Sequence, residues 1–294
     1  MKYVEDFLDY EIIDASRGEK LERWGKYYLL RPDPLVMWGD YDLDKKYKDM
    51  IHAKYYRSDK GGGHWENRKN MPETWQIGYN KMKFNLKKMS FKHTGLFPEQ
   101  AYNWNYAIDK IEKEIKNTNR QIKVLNLFAY TGGATLACIL GGAHTTHVDS
   151  SRGMIDMCKE NLEASNVDMT KARFIQDDVI KFVSREIRRG NKYDAIIMDP
   201  PAYGKGANGE TWNIEKDLFQ LLNLCKEILS DKPLFVLVNT YSGLSPVLIE
   251  NLLKETINKD GKGTISSSEI GVKIKSNDLV LPCGIYGRVD YEWL

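Results

Sequence analysis

The chain has 294 residues, 42% hydrophobic and 29% charged, with a formal net charge of +2 and a pI of about 8.1. This composition supports a packed core in one large or two ordinary domains and excludes global disorder; the near balance of charge excludes a general affinity for polyanions, so any basic footprint must be local. Cys138, Cys158, Cys225 and Cys283 are scattered with no C-x-x-C, which argues against a disulfide framework or a zinc site and fits a reduced, cytoplasmic setting.

The N-terminal run MKYVEDFLDYEIID is acidic and lacks an apolar h-region, so neither a signal peptide nor a membrane span is expected. YEIID, EKLERWG and KYYLLRPDP are short runs separated by Ser16-Arg17-Gly18 and Gly25 and predict a small β-meander. The polar, Gly-rich stretch YRSDKGGGHWENRKN predicts a loop. WQIGYNKMKFNL alternates apolar residues on both sides of Asn80-Lys81, the pattern of a hairpin. After Pro98, the residues Ala101, Trp104, Ile108, Ile111 and Ile115 recur at helical spacing.

Strands and helices then alternate. The strands are KVLNLFAY, THVDSS, ARFIQDD, YDAIIMDPP and PLFVLVNT; the intervening helices include ATLACILG, RGMIDMCKENLEAS, VIKFVSREIRR, EKDLFQLLNLCKEIL and SPVLIENLLKETI. Such alternation predicts an α/β fold with a doubly wound, mostly parallel sheet. GTISSSEIGV and CGIYGRVDYEW supply two closing strands. The expected division is a small β-rich N-terminal domain over residues 1–92 and the α/β domain over residues 93–294.

In an open parallel sheet, ligands bind beyond the carboxyl ends of the strands, where strand order reverses. Four features stand at such ends. Thr131-Gly132-Gly133 turns the chain into a helix. Asp149 follows the second strand at the distance from a Gly-rich turn that suits a ribose. Asp177-Asp178 follows the third and suits the exocyclic amine of an adenine. Asp199-Pro200-Pro201 follows the fourth, and two prolines cannot continue a strand. For Asp177 the competing structural reading is a helix N-cap; for Tyr203 it is a plug on the domain surface. TGGATL is not G-x-G-x-x-G, which disfavours NAD, and no P-loop motif is present.

The ordered set VLNLFAYTGG, HVDSS, FIQDDV and DPPAYG resembles a class I S-adenosylmethionine-dependent methyltransferase, and KHTGLFPEQ resembles the segment that precedes the catalytic domain in the large-subunit ribosomal-RNA cytosine methyltransferases. The resemblance covers residues 92 to about 243 and implies a Rossmann-like methyltransferase fold. It implies that Phe128, Ala129, Tyr130, Thr131 and Gly132 line the methionine half of S-adenosyl-L-methionine. Asp149, with Ser150 or Ser151 beside it, holds the ribose; Asp178 and the backbone of Val179 read the adenine; Thr94 and Gln100 close over the cofactor. Asp199, Pro200, Pro201 and Tyr203 face the transferable methyl, with proline carbonyls pointing inward and the Tyr203 ring offered to a flipped base.

Carbon methylation of a pyrimidine needs a cysteine thiolate. The family carries it after the fifth strand, where this chain has Tyr241 in NTYSG. Cys138, Cys158 and Cys225 fall in predicted helices, and Cys283 falls in a predicted turn. A nitrogen target is therefore slightly preferred over carbon. Residues 45–92 hold thirteen Lys and Arg against four Asp and Glu, with Tyr47, Tyr55, Tyr56, Trp65, Trp75, Tyr79 and Phe84 interleaved. That pattern suits RNA, ribosomal RNA above all, with a solvated hairpin over an aromatic mini-core as the structural alternative. The acidic residues 1–44 are expected to face away from it. A methyltransferase for a small molecule or protein, and a non-catalytic RNA-binding module, are the other two readings.

Overall fold

The computed structural model describes residues 1–58, 61–206, 209–241 and 243–293. Asp59 and Lys60 of the basic stretch, and Ser242 of NTYSG, lie outside them. The chain divides into two compact units: one is Tyr3–Ala101 with Gly271–Cys283, the other Met1–Lys2, Tyr102–Ile270 and the residues from Gly284 on. The division thus falls nine residues after the expected one, and a stretch near the C-terminus belongs with the N-terminal unit.

In that unit, β1 (Tyr10–Ser16), β2 (Glu19–Trp24) and β3 (Tyr27–Pro32) form the antiparallel meander. A short helix, α1 (Leu43–Lys46), leads to β4 (Ala53–Arg57), which pairs parallel to β3. β5 (Gly63–Asn67) completes a five-stranded sheet in the order β1-β2-β3-β4-β5. The stretch expected as a loop is therefore a hairpin, with Tyr55 opposite Trp65 and Tyr56 opposite His64. Its glycines have local reasons. Gly61 and Gly62 turn at φ 88° and 73°, and a Cβ on Gly63 would stand 2.1 Å from the Tyr56 carbonyl oxygen. β6 (Thr74–Tyr79) and β7 (Met82–Lys87) form the expected hairpin, with Asn80 at φ 51° in its turn. Trp75, Ile77, Tyr79, Met82, Phe84 and Leu86 are buried on one face; Lys81, Lys83 and Lys87 are exposed on the other.

Charges tie this unit together. Glu22 is fully buried and accepts from Arg31 Nε and Nη2 at 2.6 and 2.7 Å and from the Tyr10 hydroxyl at 2.8 Å. Asp14 accepts from Tyr41, Tyr47, Lys46 and, 262 residues away, Ser276.

The other unit begins, after a 3-10 turn over Pro98–Gln100, with α2 (Ala101–Thr118). It continues through β8 (Lys123–Leu127), α3 (Gly133–Leu140), β9 (His144–Asp149), α4 (Arg152–Ala164), β10 (Ala172–Gln176), α5 (Val179–Arg189) and β11 (Ala195–Met198). A two-stranded ribbon follows, β12 (Tyr203–Lys205) with β13 (Thr211–Asn213), and then α6 (Ile214–Glu227), β14 (Phe235–Thr240), α7 (Pro246–Glu255), β15 (Thr264–Lys273) and β16 (Val280–Asp290). The sheet order is β10-β9-β8-β11-β14-β16-β15, parallel from β10 to β14, with β16 antiparallel to β14.

Alternation along the central strands sorts the core into two layers. Leu125, Leu127, Ile196, Met198, Val236 and Val238 pack with α5, α6 and α7. Val124, Ala195, Ile197, Phe235 and Leu237 pack with Ala107 and Ile111 of α2 and Cys138 of α3. Asp178 caps α5 at its start and Gly190, at φ 68°, at its end. Among the described residues no helix is long and apolar enough to cross a membrane.

Burial raises the Glu22 carboxyl, but Arg31 and Lys20 outweigh it and hold the group at about 2. Glu22→Gln leaves Arg31 buried beside a neutral amide, so denaturant unfolding should show a loss of about 3–5 kcal/mol in the N-terminal unit. The ionised Glu22 contributes fully above its unfolded value of about 4.3, and that contribution is lost as pH falls towards about 2. The variant should lack this acid-side dependence.

Candidate active site

The strand ends that carry the sequence signals lie side by side. Leu127 of β8 is in register with Val148 of β9 and Met198 of β11, and Gln176 of β10 is in register with Asp149. From β8 the chain winds outward through β9 to β10, then returns to β11 on the other side of β8. The crevice beyond β8 and β11 is the switch point at which a doubly wound sheet takes its ligand.

The turn after β8 is unusual backbone. Phe128, Tyr130 and Gly132 sit at φ 52°, 51° and 85°, so two non-glycine residues occupy the left-handed region. Such residues cost on the order of 1–3 kcal/mol each and persist only where the surroundings hold them. Here Ala129 N donates to the Val148 carbonyl, and Asn161 of α4 donates to the Thr131 carbonyl at 2.9 Å. A Cβ on Gly132 would meet the Cys158 sulfur at 2.1 Å, and one on Gly133 would meet the Trp104 ring at 2.7 Å. Helices α4 and α2 thus close on this turn from two sides, leaving room for backbone only. Under it, Asn126 and Thr135 join a buried, neutral His147, which burial pushes down to about 3.

Asp149 stands at the end of β9. Its Oδ2 accepts from Tyr130 N and its Oδ1 from Ser151 N, both at 2.8 Å. Burial raises its carboxyl above the usual range, while the Ser151 and Tyr130 N–H groups pull it back. Each oxygen has a second lone pair, so the group can still accept from two hydroxyls. Ser150 offers its carbonyl to Gln176, and Ser151 precedes α4.

After β10 the two carboxylates part. Asp178 is the cap of α5, its Oδ1 accepting from Lys181 N at 2.9 Å. Asp177, for which the cap reading was weighed, instead pairs with Arg185. Val179 begins α5 and is buried.

After β11, Asp199 is half-buried, Pro200 buried and Pro201 exposed. The Pro201 carbonyl, expected with that of Pro200 to point inward, accepts from Trp212 Nε1 at 2.7 Å. Trp212 lies on β13, packs 4.8 Å from the Phe128 ring, and so links the DPP turn to the turn after β8. Tyr203 on β12 is 57% exposed.

As site residues, Trp212, Trp104 and Asn161 were absent from the sequence reading. The spacing of Trp104 marked it only as core, and a three-residue ribbon strand offers no periodicity to mark Trp212. Thr94 and Gln100 are buried in the N-terminal unit. Cys283, expected in a turn, lies within β16, and its Sγ donates to the Leu281 carbonyl. Burial, then Glu99, pushes its thiol well above the ordinary value; burial likewise pushes Cys138 to about 12 and raises Cys158 and Cys225.

The basic stretch is partly neutralised from within. Lys46 pairs with Asp14, Lys54 with Glu19 and Asp44, and Arg68 with Asp44 and Glu66. The acidic residues before position 45 therefore include partners of the basic ones rather than a face turned wholly away. Of the interleaved aromatics, Tyr55, Trp75, Tyr79 and Phe84 are buried, as the mini-core alternative holds.

A family model described as S-adenosylmethionine-dependent methyltransferase matches residues 15–258. The crystal structure of a SAM-dependent methyltransferase from Agrobacterium tumefaciens is 33% identical, with a TM-score of 0.88, over 97% of this chain and 91% of that one. A methyltransferase structure complexed with SAH shares the fold at a TM-score of 0.71 and 20% identity, over 97% of this chain and 76% of that one. Ribosomal RNA large subunit methyltransferase I of Klebsiella pneumoniae is 40% identical over 102 residues, which span 33% of this chain and 25% of that relative.

Gly132→Ala forces a Cβ against Cys158 at a left-handed φ. We expect it to lower the thermal midpoint, by about 2–8 °C for a loss of 1–2 kcal/mol. The double variant with Cys158→Gly should recover part of that loss; no recovery would mean that the backbone, not the contact, sets the requirement.

Proposed function

Because the chain belongs to the S-adenosylmethionine-dependent methyltransferase family, we propose that it methylates a base in RNA, with ribosomal RNA as the substrate class and a ring or exocyclic nitrogen as the target. The observation that carries the reading is the row of Asp149, Asp178 and Asp199 at adjacent strand ends around the Gly132-Gly133 turn. This arrangement fits the cofactor. Asp149 is already oriented by two N–H groups and keeps lone pairs for two hydroxyls, on a turn that Cys158 and Trp104 hold tightly from behind.

Residues Phe128 to Gly132 would border the methionine half, Asp149 would accept from the ribose hydroxyls, and Asp178 with Val179 N would read the adenine. When bound, the cofactor supplies a methyl group on a sulfonium, open to in-line displacement. The protein's task is then to position a nucleophile. Asp199 would accept a hydrogen bond from the base amine, and Pro200, with Pro201 pinned by Trp212, would keep that carboxylate in place. The exposed Tyr203 would stack on the base.

Nitrogen is favoured by the thiols. Carbon chemistry needs an accessible thiolate, and all four thiols are raised by burial while Tyr241 follows β14. RNA as the substrate is supported by the ribosomal-RNA activity in the name of the Klebsiella relative and by the exposed Lys81, Lys83 and Lys87. A cytoplasmic location agrees with four free cysteines.

Calorimetry should show S-adenosylhomocysteine binding at least about tenfold weaker in Asp149→Ala, since each charge-assisted bond is worth about 1.5–3 kcal/mol. Unchanged affinity would remove the ribose assignment.

With labelled cofactor and ribosomal RNA, Asp199→Ala should lose about two to three orders of magnitude in methyl transfer, while Cys283→Ala stays active. A covalent adduct with fluoropyrimidine RNA that disappears in Cys283→Ala would move the target to carbon. Methylation of protein or small molecules but not of RNA would overturn the substrate class.

A further inference from the structure

The N-terminal unit contains a pocket of about 450 Å³, lined by Tyr55, Arg57, Ser58, Gly61, Gly62, Phe91, Lys92 and His93. That volume lies within the about 300–1,000 Å³ of small-ligand sites. One wall is formed by Tyr55 and Arg57 of β4 with Ser58, Gly61 and Gly62. The other is the loop that follows β7, and bonds on both sides hold this loop in shape. Lys87 N donates to the Thr94 carbonyl and Met89 N to the His93 carbonyl, both at 3.1 Å; Trp65 Nε1 donates to the Met89 carbonyl at 2.9 Å. Near the tip of this braced loop Phe91 is 61% exposed. A loop tied down at three points presents this ring at little further entropic cost to a ligand.

The pocket is also electropositive. Among the described residues neither Arg57 nor Lys92 forms an ion pair, whereas the nearby carboxylates are taken: Glu22 by Arg31 and Lys20, and Asp33 by Lys20. Burial above all, with Lys20, Arg31 and Arg57 and against the pull of Asp33, lowers the Lys92 ammonium from its usual range. Burial, then Arg31, Lys92 and Lys20, push His93 down to about 4, so at neutral pH its ring keeps one donor and one acceptor. Surplus positive charge, an exposed ring and a neutral imidazole together match a planar heterocycle carrying a phosphate.

We propose that this pocket captures a single unpaired nucleotide of the RNA substrate, its base stacked on Phe91 and its phosphate met by Arg57 and Lys92. The proposal rests on the reading of the substrate as RNA and names a contact that composition did not reveal, because Phe91 lies among neither the charged nor the interleaved aromatic residues first singled out. Phosphate contacts at such a site carry affinity, and stacking is tolerant of sequence.

The test uses the full chain and a fluorescent, unstructured ten-nucleotide RNA, titrated by anisotropy at several salt concentrations, with free CMP as the second probe. Phe91→Ala should weaken RNA binding about five- to a hundredfold with an unchanged salt slope, and Phe91→Tyr should restore it. Arg57→Gln should reduce the slope by about one. Both side chains are exposed, and an unchanged near-ultraviolet circular dichroism spectrum and unfolding midpoint check that the variants are folded. If wild type and all three variants bind the RNA alike, the pocket is not a nucleotide site although the substrate reading stands. If wild type binds no RNA, the substrate reading itself falls. If CMP binds at micromolar concentration, is lost in Phe91→Ala, and does not compete with RNA, the pocket serves a free nucleotide and the proposal is overturned.

Discussion

One carboxylate ties together the carboxyl ends of the parallel strands in the α/β unit. Asp149 receives Tyr130 N on one oxygen and Ser151 N on the other, joining the turn after β8 to the start of α4. The turn could not hold itself: Phe128 and Tyr130 are both left-handed, and neither has glycine's freedom. Asp149 fixes it from one side, Asn161 from below, and the close approach of Cys158 and Trp104 removes the space into which it would relax. Ser151 N is also an unpaired donor of a helix start, so the same group meets a need that α4 has in any case.

The alternation of strands and helices was legible because strands buried on both faces read as unbroken apolar runs, and AIIM and FVLVNT admit no other reading beside their flanking helices. The acidic residues at the strand ends were legible for the same reason, since a charge that closes an apolar run is conspicuous. What escaped was whatever depends on partners far away in sequence. The Pro201 carbonyl was read as facing the crevice; the donor it accepts from, Trp212 Nε1, stands eleven residues on. Gly61 to Gly63 looked like a loop, yet two of them make a turn and the third is a strand residue that must clear the Tyr56 carbonyl.

Charge counting failed in an instructive way. A surplus of nine over residues 45–92 suggests a uniform basic surface. Folding pairs Lys46, Lys54 and Arg68 with acidic residues from inside and outside that window, and spreads the exposed cations over separate places: Lys45 and Lys48 around α1, Arg57 at the end of β4, Lys69 after β5, and Lys81, Lys83 and Lys87 on the β6–β7 hairpin. The same packing took Trp75, Tyr79 and Phe84 into the core, where no base can reach them. Sequence windows register composition, whereas binding depends on which of those groups remain at the surface.

The return of Gly271–Cys283 to the N-terminal unit bears on how the chain is made. Ile274 bridges Ile12, Lys275 N donates to the Ile12 carbonyl, and Ser276 reaches Asp14. Strand β1 therefore waits for a partner that the ribosome releases more than 250 residues later. Domains are usually finished in order of synthesis, the first before the second. Here the first unit to emerge is among the last to be completed, and until the tail arrives one edge of its sheet stays open and Asp14 lacks one of its donors. Vectorial folding of this chain must close a loop of 262 residues.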